Sequence, residues 1–198
     1  MKLNQFGRSM VEMLGVLAII GVLSVGAIAG YSNAMLKFKT NKQASQIDLL
    51  FSVVYRHIED IKKNGYGFSW IPVFIQKGEF PEDMYTSKTS TQIKDVFKSQ
   101  YTLTYHDTGY IALFSYLNKG EYSQIACENI YNIAKQWHTE LRSVAINNSS
   151  GSYASSYSGA KYCTGQNKCL KNLTMSEISG ICNVCEEDKL CYLFIRFI

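Results

Sequence analysis

The chain of 198 residues has a formal net charge of +4, from 20 basic and 16 acidic residues, and 46% of its residues are hydrophobic. This length accommodates one membrane-length helix and one domain of about 130 residues, which is large enough to bury its own core. The basic residues are scattered and form no patch interleaved with aromatic residues, so charge does not imply nucleic-acid binding. Fourteen tyrosines and only two prolines are typical of a β-containing domain rather than of long disorder.

The first notable feature is a short polar leader followed by an apolar run. Lys2 lies in the leader, Gly7 ends it, and Glu12 stands just before an uncharged stretch over residues 13–36. A helix of this length spans about 36 Å at roughly 1.5 Å per residue, whereas the hydrocarbon core of a bilayer is about 30 Å thick. The run therefore predicts a helix that crosses a membrane.

The stretch from Gly7 to Glu12 resembles the cleavage and methylation motif of type IV prepilins. In that family a short basic leader ends in Gly, and a membrane peptidase cuts after it and methylates the new N-terminus. A Glu is then the fifth residue of the mature chain. The resemblance implies cleavage between Gly7 and Arg8, N-methylation of Arg8 and an assembly role for Glu12. Arg8 stands where most members of the family have Phe or Met.

Physical chemistry gives Glu12 a role that agrees with this resemblance. A carboxylate at the edge of an apolar helix costs a few kcal/mol if it faces lipid alone. In a filament it can meet the cationic N-terminus of a neighbour, and this pair fixes the axial register where apolar packing alone would let helices slide. Gly26 and Gly30 form a small-x-x-x-small pair, which allows close approach of helices.

Two other interpretations of the N-terminal segment remain open. In the first, Lys2 and Arg8 form the basic region of a secretory signal peptide, and Ala27-Ile28-Ala29 supplies its cleavage site. In the second, the apolar run is a plain membrane anchor.

The predicted fold class is α+β. We expect a long N-terminal helix, transmembrane in its first half and amphipathic in its second, packed on a small antiparallel sheet head with a cysteine-rich C-terminal region. The expected divisions are a leader at 1–7, the long helix at 8–64 with its membrane part at about 13–36, and the globular head at 65–198. The second half is predicted from apolar residues spaced mostly 3 and 4 apart, which are Ile47, Leu50, Phe51, Val54, Ile58 and Ile61. Asn64-Gly65 is the expected C-cap.

The remaining elements are predicted from periodicity and turn residues. They are, in chain order, a short helix over 91–97, a hairpin of strands 101–105 and 110–117, a helix from Ser123 to about Leu141, a strand over 143–147, an exposed loop over 148–159, a short helix after the capping box of Thr174 and Glu177, and a strand over 190–198.

The cysteines favour disulfides, because their even number stands beside an export-type N-terminus. They are Cys127, Cys163, Cys169, Cys182, Cys185 and Cys191. Six cysteines allow 15 pairings, and the sequence does not choose among them. We expect Cys163 to pair with Cys169, and Cys127 with one of Cys182, Cys185 or Cys191. The alternatives are zinc ligation by Cys182 and Cys185 with Cys163, Cys169 and Cys191, or a redox pair at Cys182 and Cys185.

The resemblance extends to the order of elements in the head. A cysteine in the helix after the hairpin, then a strand, and a late cysteine-rich region that ends in a strand resemble the type IVb pilin arrangement. The implied function is that of a structural subunit of a type IV pilus or related filament. No catalytic set of residues is recognised, and neither a cofactor nor a metal is expected.

The resemblance also implies partners and a location. The partners are the inner membrane, the prepilin peptidase, other copies of the chain or related pilins, and the pilus or type II secretion assembly machinery. The location is the bacterial inner membrane before assembly, in a single pass, and then an extracellular filament or a periplasmic pseudopilus. The alternatives are a minor pilin, a type II secretion pseudopilin or, from another class, a secreted disulfide-bonded binding domain released after Ala29.

Overall fold

One long helix opens the chain, and an antiparallel sheet of six strands follows it. The computed structural model of the protein describes residues 6–63, 67–106, 108–118, 120, 122–148, 153–165, 168–185 and 191–198, with the backbone alone for 6–9, 148, 153 and 154. The chain divides into two compact units, Met1–Lys39 and Thr40–Ile198. The predicted α+β class is confirmed, with its long N-terminal helix, antiparallel sheet and disulfide-bonded C-terminal cysteines.

The helices are α1 (Phe6–Arg56), α2 (Ile58–Lys63), α3 (Ile71–Gln76), α4 (Ser123–Gln136) and α5 (Met175–Cys182). The strands are β1 (Ile93–Lys94), β2 (Gln100–Tyr105), β3 (Ile111–Leu117), β4 (Leu141–Asn148), β5 (Tyr153–Ser158) and β6 (Cys191–Phe197). Short 3-10 turns lie at Glu82–Met84, Ala160–Tyr162 and Leu170–Asn172. The sheet order is β1-β2-β3-β6-β4-β5, so β6 lies between two strands that precede it in the chain.

The predicted amphipathic stripe of α1 and α2 packs into the core of the second unit. Five of its six residues are buried, and Ile58 is half-buried. Burying a side chain of this size contributes roughly 1.5–3 kcal/mol, so the stripe is a major part of what holds the helix to the sheet.

The long helix is interrupted at His57, whereas the sequence predicts a single helix over 8–64. The backbone hydrogen bond from Ile61 N–H to the His57 carbonyl persists at 3.0 Å, so the chain continues in nearly the same path.

The His57 ring contacts two carboxylates, with Nε2 3.0 Å from Glu79 and Nδ1 3.7 Å from Asp60. The hydrogen bond from His57 is the main reason that the pKa of Glu79 lies below its ordinary value. The predicted cap at Asn64-Gly65 lies outside the described residues.

The two faces of the sheet carry different side chains, because alternate residues of a strand point in opposite directions. The inner face has a buried row that crosses four strands through Leu103, Leu113, Ile195 and Val144. Helices α1 and α4 pack on it, with the Phe51 ring 5.4 Å from that of Phe197 and the Tyr131 ring 6.0 Å from that of Tyr157. The opposite, outer face carries Phe114, Tyr116, Phe194 and Arg196.

The short helix predicted over residues 91–97 is wrong, because this segment forms β1 and a tight turn into β2. Asp95 organises the turn: its Oδ1 accepts the backbone N–H groups of Phe97 at 2.8 Å and Ser99 at 2.9 Å. Lys98 takes a left-handed conformation with φ of 66°. An aspartate that binds nearby backbone N–H groups offers the chain an alternative to a helix.

The same carboxylate joins the turn to two other elements in a buried polar network. Its Oδ2 accepts the Gln43 amide of α1 at 2.6 Å and the Tyr101 hydroxyl of β2 at 2.7 Å. The Asn129 amide of α4 donates to the Gln43 oxygen at 3.0 Å. Burial raises the pKa of the Asp95 carboxyl, and its hydrogen bonds oppose that shift in part.

The exposed loop predicted over residues 148–159 is partly wrong, because it contains β5 paired with β4. Tyr157 points to the inner face and is buried, whereas Ser156 points outward and is exposed. The alternation of a strand is therefore present, but serine takes the positions where β-branched residues usually signal a strand.

Helix α4 ends at Gln136, five residues before the predicted end at Leu141. The chain turns there because residues 138–142 approach Gly159 closely. The Gly159 N–H donates to the Arg142 carbonyl at 2.9 Å. A Cβ at this glycine would collide with the Leu141 carbonyl oxygen and lie 2.7 Å from that of His138.

Asp95→Ala should lower the free energy of unfolding by about 3–5 kcal/mol, because it leaves several buried donors unpaired. Denaturant unfolding of the full chain in neutral detergent, followed by tryptophan fluorescence, measures this change. Asp83→Ala is the control, since Asp83 is an exposed partner of Lys42 and should contribute less than about 1 kcal/mol. A loss for Asp95→Ala no larger than the control would contradict the role of the network.

Candidate membrane and assembly segment

The first unit contains the apolar part of α1, and its side chains are exposed. Every residue over 10–34 is exposed to solvent, including Met10, Leu14, Val22 and Ile28 at 65–75%. This is one helix long and apolar enough to cross a membrane, by length and composition. Such a surface is stable in lipid or against other apolar helices and is unfavourable in water.

Three predicted site residues lie at the start of this helix. The backbone of Gly7 and Arg8 is helical, and Glu12 follows one turn after Arg8 with its side chain exposed. No ion pair or hydrogen bond of the Glu12 carboxylate is found in the described part of the chain.

The polar and small residues inside the segment suit an apolar environment. The Ser24 hydroxyl donates to the Ile20 carbonyl at 2.7 Å, and the Ser32 hydroxyl donates to the Ile28 carbonyl at 3.1 Å. Both hydroxyls are thus satisfied within the helix, as lipid requires. Gly26 has open space where its Cβ would stand, and so a neighbouring helix can approach closely there.

The second unit carries three disulfides that involve all six cysteines. Cys127 of α4 bonds Cys182 of α5, with Cα atoms 5.7 Å apart and both side chains buried. Cys182 is one of the three partners that the sequence left open for Cys127. Cys163 bonds Cys169, as expected from the sequence.

The third disulfide joins Cys185 to Cys191 across the entry to β6, with Cα atoms 5.2 Å apart. The sequence left these two cysteines unassigned, although their separation of six positions equals that of Cys163 and Cys169. Nearby, the Ser123 hydroxyl donates to the Cys185 carbonyl at 2.6 Å and ties the start of α4 to this corner.

The disulfides of Cys182 and Cys185 bear on the redox and zinc alternatives for these two residues. Cys182 is bonded to Cys127 and Cys185 to Cys191, so the two do not form the bond with one another that a redox pair requires. A cysteine in a disulfide also has no free thiolate with which to bind zinc. Within the described residues, no cluster of His, Cys, Asp or Glu side chains is arranged to hold a metal.

Comparison with known proteins found no matching family model, no matching curated protein and no matching solved structure.

Replacing Cys127 and Cys182 together by alanine should lower the free energy of unfolding by about 4 kcal/mol, because that bond closes a loop of 55 residues. The paired replacement of Cys163 and Cys169 is the matched comparison, and its loop of six residues predicts about 2 kcal/mol. Denaturant unfolding of the full chain in neutral detergent checks the order of the two losses. Equal losses, or reactive thiols in the unreduced protein, would contradict this assignment.

Proposed function

We propose that the chain is a structural subunit of a type IV pilus or a related filament, assembled through its N-terminal helix. The observation that carries this proposal is the apolar helix, exposed at every residue over 10–34 and led by the single carboxylate of Glu12. The resemblance of the stretch from Gly7 to Glu12 to the prepilin motif supports it.

The first step is processing at the membrane. Lys2 holds the leader on the cytoplasmic side, and the prepilin peptidase cuts between Gly7 and Arg8. Arg8 then carries two positive groups, its guanidinium and the new amino terminus that the peptidase methylates. Glu12 becomes the fifth residue of the mature chain, near the positive end of the helix dipole, where a carboxylate is favoured.

The second step is storage in the inner membrane as a single-pass protein. The length of the apolar segment matches a bilayer, and the serine hydroxyls within it already have partners in the helix. The second unit, with its disulfides, belongs on the oxidising side of that membrane.

The third step is assembly, in which Glu12 meets the amino terminus of a neighbouring subunit. Apolar side chains of two neighbouring helices pack almost equally well at many axial offsets. They therefore hold the helices together without fixing their axial register. A hydrogen-bonded charge pair requires one specific separation of its two groups, and its attraction strengthens several-fold where water is excluded. Filament assembly therefore selects the one register in which each carboxylate has a cationic partner.

The same N-terminal segment also serves minor pilins and the pseudopilins of type II secretion. Abundance separates these roles, because a major subunit should dominate the protein mass of sheared filaments. A minor subunit or a pseudopilin would be a trace component of them.

Glu12→Gln is the direct test of the assembly step. We expect processing to persist, because the change does not alter the Gly7–Arg8 peptide bond that the peptidase cuts. The yield of sheared filament should fall by about tenfold or more, because each subunit contact loses a charge-assisted hydrogen bond. Immunoblots of whole cells and of the sheared fraction measure the two quantities separately.

The matched control is Glu59→Gln, which removes an exposed carboxylate from α2. It should leave the filament yield unchanged. Normal filament yield in Glu12→Gln, at equal cellular protein level, would contradict the register argument.

A further inference from the structure

The outer face of the sheet brings together residues that are far apart in the sequence. It carries a group, here named the outer-face cluster, of Tyr110, Phe114, Tyr116, Arg142, Tyr192, Phe194 and Arg196. These residues come from β3, β4 and β6 and from the turn that precedes β3. The three strands are neighbours in the sheet, which places the side chains side by side.

The aromatic rings form a continuous array across β3 and β6. The Phe114 ring lies 4.5 Å from that of Phe194 and 6.3 Å from that of Tyr116, and the Tyr116 ring lies 6.0 Å from that of Tyr192. Phe114 and Tyr192 are half-buried, and Tyr116 is 41% exposed. Phe194 is buried at 6% exposure, so the rings of the array that a ligand can reach are those of Phe114, Tyr116 and Tyr192.

Two arginines lie beside the rings. The Arg196 guanidinium is 4.5 Å from the centre of the Phe194 ring and 5.5 Å from that of Tyr110. Arg142 stands at an irregularity between β4 and β6, and its guanidinium is 4.9 Å from the centre of the Tyr162 ring and 5.8 Å from that of Tyr110. An extra residue of this kind redirects a side chain, which explains how Arg142 reaches the same rings.

The positive charge of this cluster is not neutralised by the sheet. None of the six strands, all of which the structure describes, contains an aspartate or a glutamate. Arg142 and Arg196 form no ion pair with any carboxylate in the described part of the chain. Arg196 donates one hydrogen bond, to the Ser143 hydroxyl at 3.2 Å. Contact with the rings holds these two half-buried arginine side chains in place, and no carboxylate among the described residues neutralises their charge.

We infer that the outer-face cluster binds single-stranded nucleic acid. A single strand alternates planar bases, which stack on aromatic rings, with phosphates, which pair with arginine. This cluster offers both in adjacent positions. An acidic peptide would use the arginines and leave the rings without planar partners, and duplex DNA keeps its bases stacked within the helix. The binding should be tolerant of sequence, because every base has a flat face.

This inference does not depend on the proposed filament role, and its failure would leave that role unaffected. The experiment is fluorescence anisotropy of a labelled oligothymidine of about 15 nucleotides, titrated with the full chain in neutral detergent. We expect saturable binding that weakens about sevenfold between about 50 and about 200 mM salt, which corresponds to two phosphate contacts on a single strand.

Two variants assign that binding to the cluster. Tyr116→Ala should weaken it by about tenfold, and the double change of Arg142 and Arg196 to alanine should abolish most of its salt dependence. Phe68→Ala removes a ring of similar exposure, at 46%, and Lys88→Ala removes an exposed cation, so both should bind as the parent chain does. Tryptophan fluorescence verifies that each variant is folded. If the arginine double variant is not folded, Tyr116→Ala still tests the inference by itself.

Several outcomes would overturn the inference. They are the absence of saturable binding to the oligonucleotide, equal weakening by the control variants, and equal or tighter binding to a duplex of the same length. Binding to polyglutamate that exceeds binding to oligothymidine would indicate that the cluster recognises acidic peptides instead.

Discussion

The dominant physical constraint on this protein is the exposure of one apolar helix. Thirteen large apolar side chains between residues 10 and 31 are more than half exposed. Removing them from water would contribute about 20 kcal/mol or more, which exceeds the whole stability of a typical domain. Lipid or neighbouring apolar helices would supply a cover of that size. Glu12 is the one charged residue over positions 10–34.

Strand pairing, disulfides and a buried polar network stabilise the second unit. Its central strand, β6, comes after the strands that flank it, so the sheet is complete only when residues 191–197 have paired. One disulfide joins α4 to α5, and another holds the first residue of β6. The Asp95 network fixes α1 against β2 and α4. Covalent bonds and a hydrogen-bonded buried carboxylate both stabilise this unit.

Local patterns in the sequence predicted the elements that depend on local physics. The apolar stripe from Ile47 to Ile61, the hairpin of β2 and β3 and the capping box at Thr174 are all present. Elements that depend on distant partners were missed. Asp95 replaces an expected helix by a turn, and β5 is a strand because β4 pairs with it. Arg142 and Arg196 are 54 positions apart, so only the folded sheet reveals that they share one aromatic surface.

The most direct test of the central claim is the mass of the mature N-terminus in protein purified from the membrane or from sheared filaments. The filament account predicts a chain that begins at Arg8, with or without one added methyl group. A chain that begins at Gly30 would contradict it, because signal peptidase would then have removed Glu12 together with most of the apolar helix.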